Sequence, residues 1–490
     1  MRPAAFTPLR ADVTVVGAGA AGLFCALVAA AQGAQVTLVS RWPVAGSASY
    51  WAQGGIAAAL GAGDSPLLHA RDTTTAGRGA CRRAAVDALC EGSPARVREL
   101  ERMGVRFDTD AGGELALGLE GGHSRRRIAH ADGAATGRRI TERLAVLAAA
   151  EERVEILEHT TATALLVHEG RCTGVVADAQ DASVQVASAA TVLATGGSAA
   201  LWERTTNPVG SVGVGLALAH SAGADLADLE FMQFHPTALV SSGERDGFLI
   251  TEAVRGEGAL LVDAAGERFV DELAPRDHVA LAIEERLRTH GTASVGLDMR
   301  AVELSRFPNI LEALRAEGID PARETVPVAP AAHYSMGGVA TDLDGRSTIA
   351  GLLAVGECAC TGLHGANRLA SNSLAECFVL SGRAALAANA FSLPAGAAGH
   401  AEPAALAAPP SQATKRALWR HAGLRRTAAG LHELAGDPFL MARLIAAAAL
   451  AREESRGAHQ RLDHPATDRS MEDRHVVLQA DGAVRVEEWL

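Results

Sequence analysis

Hydrophobic positions run together over ADVTVV at residues 11–16, stop at a cluster of glycines, and resume over the alanine-rich AAGLFCALVAAA and again over QVTLVS at 35–40. A short continuous apolar run bounded by turn residues predicts a buried strand, and the longer run past the glycines predicts an apolar helix. The chain up to Arg41 therefore reads as a complete β-α-β unit. Two later segments, TVLATGG from Thr191 and GLLAVGE from Gly351, repeat the strand-then-glycine form and predict further strands of the same sheet. The polar stretch between them is rich in His and Arg and has a helical pattern at Asp277 to Arg288, which predicts an inserted second domain. Past Ser392 the chain passes through a Pro-, Gly- and Ala-rich linker into a basic, alanine-rich run with helical periodicity to about Arg456. The expected architecture is α/β: a discontinuous nucleotide domain at 1–228 and 339–395, an α+β insertion at 229–338, and a C-terminal helical domain at 411–490.

Composition narrows the partners. A chain of 490 residues is long enough for two or three domains, and its 48% apolar content with 51 glycines suits a globular α/β protein. The formal charge of -12 argues against nucleic acid, whose binding needs a basic face. The 7 cysteines do not form a disulfide framework, and Cys358 and Cys360 lack the spacing of a zinc or thioredoxin site, so no metal is expected. The N-terminus has neither the charged region nor the long apolar region of a signal peptide. The apolar stretches Leu23–Ala31 and Leu444–Ala451 are about half of the ~20 residues a membrane span needs. A cytoplasmic protein without direct membrane contact is the expectation.

Gly17, Gly19 and Gly22 form GxGxxG directly after a strand and before a helix, so backbone and helix amides of Gly17, Ala18, Gly19, Ala20, Ala21 and Gly22 can approach a pyrophosphate. At the end of the second strand, where an acidic ribose ligand is expected, the chain has Ser40 and Arg41. Ser40 can still bond a ribose hydroxyl and Arg41 could take a phosphate, which leaves NADP open at that loop. Flavin is favoured by further glycine-rich and polar loops, more than a mobile nicotinamide needs. The candidate contacts are Ser47 with Gln53, Gly54 and Gly55; Ala194, Thr195 and Gly196; and Glu357 with Asn372, Ser373 and Leu374. In the last loop Glu357 suits ribityl hydroxyls, and the SNSL turn before a helix can aim amides at the flavin ring. The alternative is that Ser371 and Ser373 only cap the helix.

The motifs VVGAGAAG, AQGG, FHPTAL, TEAVRGEGA, ELAPRDHVA, HYSMGG and GANRLASNSL, in this order from about Asp12 to Ala390, resemble the flavoprotein family of succinate dehydrogenase, fumarate reductase and L-aspartate oxidase. The resemblance implies a Rossmann-like FAD-binding domain interrupted by a capping domain. It also implies that His235, Thr251, His333 and Arg368 hold substrate carboxylates, with Arg276 as catalytic arginine and Glu252 and Arg255 as its relay. The respiratory members tether flavin through a histidine just before AQGG; here Gly46 to Trp51 contain none, which implies non-covalent FAD. LEGGHSRRRIAHADG resembles the segment of the amino-acid-oxidising members whose glutamate faces the substrate amino group, and that residue is Glu120. The implied activity is oxidation of L-aspartate to iminoaspartate, with O2 (giving H2O2) or fumarate reoxidising the flavin. That would be the first step of NAD biosynthesis, with quinolinate synthase as a possible partner. Val214 departs from the family, which has an acid in a GDG turn there, and the C-terminal region is short. Two alternatives stay open: a soluble fumarate reductase or succinate dehydrogenase flavoprotein subunit, and a non-catalytic or tRNA-modifying flavoprotein on the same nucleotide fold.

Overall fold

The computed structural model describes residues 7–179, 182–393, 400–403 and 409–489; most of the expected linker lies outside them. The first strand, Thr7–Val16, pairs in parallel with Val36–Val39 on one side and with Ala182–Leu193 on the other, and Val36–Val39 pairs in turn with Val154–Leu157. Leu352–Ala354 joins Ala182–Leu193, also in parallel, so both strand-then-glycine segments lie in the sheet that the β-α-β unit begins. An antiparallel flap, Thr161–His168 with Arg171–Ala179, extends it. Parallel strands covered on both faces read as unbroken apolar runs, and Val36–Val39 is buried at every position.

Two glycines set how closely the helix Ala20–Ala31 sits on this sheet. A Cβ on Gly22 would fall 1.9 Å from the Gly17 carbonyl oxygen. One on Gly17, whose φ is +113°, would fall 2.3 Å from that of Ala194. The helix then buries Leu23 and Phe24, and Phe24 meets Phe378 of the helix Asn372–Ala388 edge-on at 5.4 Å. Each such side chain stabilises the fold by about 1.5–3 kcal/mol.

The insertion is built on a four-stranded antiparallel sheet in the order Met232–Leu239, Val326–Ser335, Val295–Asp298, Leu260–Val262. The helix Arg276–His290 packs on it through Val279 and Ile283. Pro236 stands inside the strand Met232–Leu239 without breaking it, because the pairing shifts register between His235 and Ala238.

The C-terminal segment, expected to be helical, carries the helices Gln412–His421, Ala428–Leu434 and Leu440–Ala451. It also closes with an antiparallel pair, Arg474–Leu478 and Val484–Glu488, paired to Leu226–Ala227. Strands this short leave little periodic signal in the chain. A buried ionic cluster fixes the segment to the start of the cap. Arg452 bonds Glu230 at 2.6 Å and Glu454 at 3.1 Å, with Asp228 at 3.5 Å, and Arg426 donates to the Glu230 carbonyl at 2.6 Å. Burial pushes the Glu230 carboxyl up, to about 7, against the pull of Arg452. Removing one partner of a buried ion pair leaves the other charge uncompensated, which costs about 3–5 kcal/mol. Arg452→Met should therefore lower the urea midpoint of unfolding by an equivalent amount; a loss below about 1 kcal/mol would show the cluster to be energetically neutral.

Candidate active site

One elongated cavity of about 520 Å³ runs from the first glycine turn to the cap. Gly17, Ala18, Gly19 and Ala21 line one end with Ser40 and Arg41; Ala194, Thr195, Gly196 and Ser47 follow; Gln53, Gly54, Gly55, Glu357, Ser373 and Leu374 line the middle. The cap end holds Glu120, His235, Thr251, Arg276, His333 and Arg368. Five expected residues do not line the cavity. Ala20 and Gly22 lie in the first turn of the buried helix. Asn372 turns to His69 at 2.8 Å and Thr73 at 3.0 Å, and Glu252 and Arg255 stand behind Arg276.

The elongated half of the cavity fits FAD. The glycine turn brings bare backbone to its wall, and Gln53 is buried with its amide oxygen unpartnered, its nitrogen donating to the Leu249 carbonyl at 2.8 Å. Glu357 accepts from the Ser335 amide at 2.9 Å, and burial pushes its carboxyl up to about 7, so it can both donate and accept near neutrality. The Ser40 hydroxyl donates to the Trp42 carbonyl at 2.6 Å, which leaves its oxygen free to accept. Ser49, which the sequence did not single out, accepts from the Ala20 amide at 3.2 Å at the head of the helix.

At the cap end, a β-bulge lets neighbouring residues reach the cavity together. Gln233 pairs with Tyr334 and Phe234 with Ala332, so His333 is the extra residue of its strand. Both His333 and Tyr334 then line the cavity. His333 Nδ1 meets the Thr206 hydroxyl at 2.7 Å, and His235 Nδ1 accepts from the Thr237 amide at 3.3 Å. The His235 proton is therefore on Nε2. The two rings lie edge to face at 5.0 Å. Thr251 is buried at the head of the short helix Glu252–Gly256.

Arg276, the first residue of its helix, donates through Nε to Glu252 at 2.8 Å and through Nη1 to Gln233 at 3.0 Å. Arg255 approaches the other Glu252 oxygen at 3.0 Å and donates to the Glu272 carbonyl. Gln233, absent from the expected set, also donates to the Arg368 carbonyl at 2.8 Å and so connects two arginines. Burial penalises the Glu252 carboxylate, but Arg276 and Arg255 outweigh it and hold its carboxyl below the usual range. Arg368 is pushed down to about 10 by burial and by Arg276. Burial and the same cations depress His235 and His333 well below the ordinary imidazole value.

Glu120 is 3% exposed. One carboxylate oxygen accepts from the Ser371 hydroxyl at 2.7 Å, and the other is buried without a partner among the described residues. Ser371 has φ +59° and makes no capping bond; its hydroxyl accepts from the Gly55 amide at 3.2 Å. The capping alternative thus fails for Ser371, while Ser373 receives a bond from Arg368 at 3.1 Å. Val214, in the place of the family's acid, opens the helix Val214–Ser221 and lines the cavity.

The family model of the FAD binding domain matches residues 12–374, and that of the fumarate reductase flavoprotein C-term matches 435–488. Among solved structures, an E. coli quinol fumarate reductase superposes with a TM-score of 0.89 at 30% identity, covering 99% of this chain and 98% of that one. This is an FAD-dependent oxidoreductase built like the flavoproteins of succinate dehydrogenase and fumarate reductase. L-aspartate oxidase from Agrobacterium fabrum is 45% identical over 96% of this chain and 95% of its own length. The enzyme of that name from Caulobacter vibrioides is 46% identical over 93% of each. The chain belongs to the L-aspartate oxidase family. No helix among the described residues is long and apolar enough to cross a membrane.

The depressed histidines make stability depend on pH. Each is neutral in the fold but protonates near 6.5 in the unfolded chain, so its stabilising contribution is complete above that pH and is lost as pH falls below it. Thermal melts of the ligand-free protein should lose stability below pH 6.5, with a slope of up to about 1.4 kcal/mol per pH unit for each histidine. His235→Asn should make that slope shallower by about one proton; an unchanged slope would show that His235 does not titrate between the two states.

Proposed function

We propose that this chain oxidises L-aspartate to iminoaspartate, with O2 or fumarate as the electron acceptor, as the first step of NAD biosynthesis. The observation that carries the substrate is Glu120: a buried carboxylate with one unpartnered oxygen, at the end of the cavity that also holds the arginines and histidines. A dicarboxylate alone needs only the cations. An α-amino dicarboxylate also presents an ammonium, and the free Glu120 oxygen is a matched acceptor for it.

In this reading Arg368, the His235 Nε2–H, His333 and Thr251 hold the two carboxylates, with the guanidinium supplying a bidentate fork. Glu120 takes the ammonium and orients the Cα–H bond. Bound FAD, held non-covalently by the glycine turn and the middle loops, supplies the hydride acceptor. Arg276, locked by Glu252 and Gln233, polarises the substrate carboxylate and keeps the carbon skeleton in place. Loss of one ammonium proton to solvent and of the Cα hydride leaves the iminium form of iminoaspartate, and no β-proton need move. The cap of residues 229–338 encloses the substrate from one side, and the split domain at 1–228 and 339–395 carries the flavin. The C-terminal part, 411–490, braces the cap through its ionic cluster.

Reduction of fumarate by the same site is supported by a separate observation. Arg276, Glu252 and Arg255 form one buried ionic chain, suited to carrying a proton to the substrate carbon next to the hydride carbon. The iminoaspartate product hydrolyses readily, which favours a partner that consumes it at once, such as quinolinate synthase. Free cysteines throughout the described residues suit a reducing cytoplasm.

Anaerobic addition of L-aspartate should bleach the visible flavin band, whereas D-aspartate, succinate and L-glutamate should do so far more slowly. A flavin that stays oxidised with L-aspartate would end this assignment. Glu120→Gln should lower kcat/KM for aspartate by roughly a hundredfold or more, in line with loss of a buried charge pair, and change fumarate reduction by less than about threefold. Equal losses in both directions would remove Glu120 from substrate recognition.

A further inference from the structure

Arg368 is 4% exposed, yet among the described residues it forms no ion pair. Its Nη1 donates to Ser373, its Nε has no partner, and its guanidinium carbon lies 4.5 Å from the centre of the Tyr334 ring. Tyr334 is held at its far end as well. Its hydroxyl donates to Glu376 at 3.0 Å and lies 3.2 Å from His364 Nε2, which meets the same Glu376 oxygen at 2.8 Å, and the His364 ring stands edge-on to the phenol at 5.3 Å. Burial pushes the phenol pKa well above its ordinary value, so the hydroxyl remains a donor.

A buried guanidinium needs a counterweight, and two kinds were open to the fold. A carboxylate beside Arg368 would neutralise it and occupy the N–H fork that a ligand carboxylate must use. An aromatic face attracts the cation through its quadrupole and takes none of the in-plane N–H groups. A phenol that donates its proton to a carboxylate also has a more electron-rich ring. We propose that Tyr334 is a positioning residue: its ring, anchored by Glu376, seats the Arg368 guanidinium so that its donors stay free for a substrate carboxylate. This rests on the reading of Arg368 as a carboxylate-binding group. The bulge at His333 that brings adjacent residues to the cavity is what allows one strand to supply both a histidine and this seat.

The competing explanation is that Tyr334 only fills space beside Phe231, Met336 and Ala366. Tyr334→Phe keeps the ring and Tyr334→Leu removes it, so the pair separates the two roles. Flavin-loaded protein is titrated with malonate by the perturbation of the flavin absorbance, and steady-state rates with L-aspartate are measured in parallel. Tyr334→Leu should raise the malonate Kd and the aspartate KM about tenfold or more with kcat within about threefold, and Tyr334→Phe should recover most of that loss. Combined with Arg368→Lys, Tyr334→Leu should add little further loss. Unchanged malonate binding, additive effects in the double variant, or equal losses for Phe and Leu would overturn the proposal. Should the leucine variant not fold, Tyr334→Met removes the ring and keeps more of its volume: weaker malonate binding with full flavin content supports the seat, and unchanged binding overturns it. Failure of the unsubstituted protein to bind malonate or to be reduced by aspartate would instead sink the functional reading itself.

Discussion

Buried positive charge without full compensation governs the cap end of this molecule. Arg276 and Arg368 line one cavity, Arg255 stands behind Arg276, and Glu252 is the carboxylate that Arg255 and Arg276 share. At an effective dielectric of about 20, unit charges ~4 Å apart interact by about 4 kcal/mol, so such a cluster has to shed charge or acquire an anion. The histidines shed theirs: His235 and His333 are held neutral by burial and by the same arginines. The arginines cannot, and the remaining deficit is the binding energy offered to a dicarboxylate.

The rest of the architecture keeps that deficit in position. The strand pair Met232–Leu239 and Val326–Ser335 carries Gln233, His235, His333 and Tyr334, and its two register shifts decide which of them face inward. The start of the strand Met232–Leu239 is clamped by the C-terminal segment, whose Arg426 and Arg452 hold Glu230. On the flavin side, Ser371 joins two loops that are remote in sequence, with the Gly55 amide on one and Glu120 on the other. The position of Glu120 is therefore tied to the same loop that lines the flavin part of the cavity.

Most of the frame was legible along the chain. The unbroken apolar runs at 11–16 and 35–40, with glycines at 17, 19 and 22, have one economical reading as a parallel β-α-β unit, and the strand-then-glycine segments join that sheet. The charged residues of the cap end were legible through motif resemblance, and the structure gathers Glu120, His235, Thr251, Arg276, His333 and Arg368 in one cavity. What stayed hidden depends on long-range partners. Gln233 and Tyr334 acquire their partners only when strands distant in sequence pair across a bulge. The partners of the Asn372 side-chain amide, His69 and Thr73, are residues about three hundred positions away and leave no local signal. The terminal hairpin was hidden because its strands are too short to show a period.

On the proposed reading, selectivity between a plain diacid and an amino diacid follows from how Glu120 is satisfied. One oxygen is held by Ser371, and the other has no partner among the described residues. A ligand with an ammonium at that place completes the charge balance. A ligand with a methylene there leaves a buried carboxylate oxygen unmet, a penalty of roughly 1–3 kcal/mol. On the proposed reading the two are distinguished less by an added attraction than by an acceptor that a cationic substituent satisfies, and Arg368 and Glu120 divide the work: one left short of an anion, the other short of a cation.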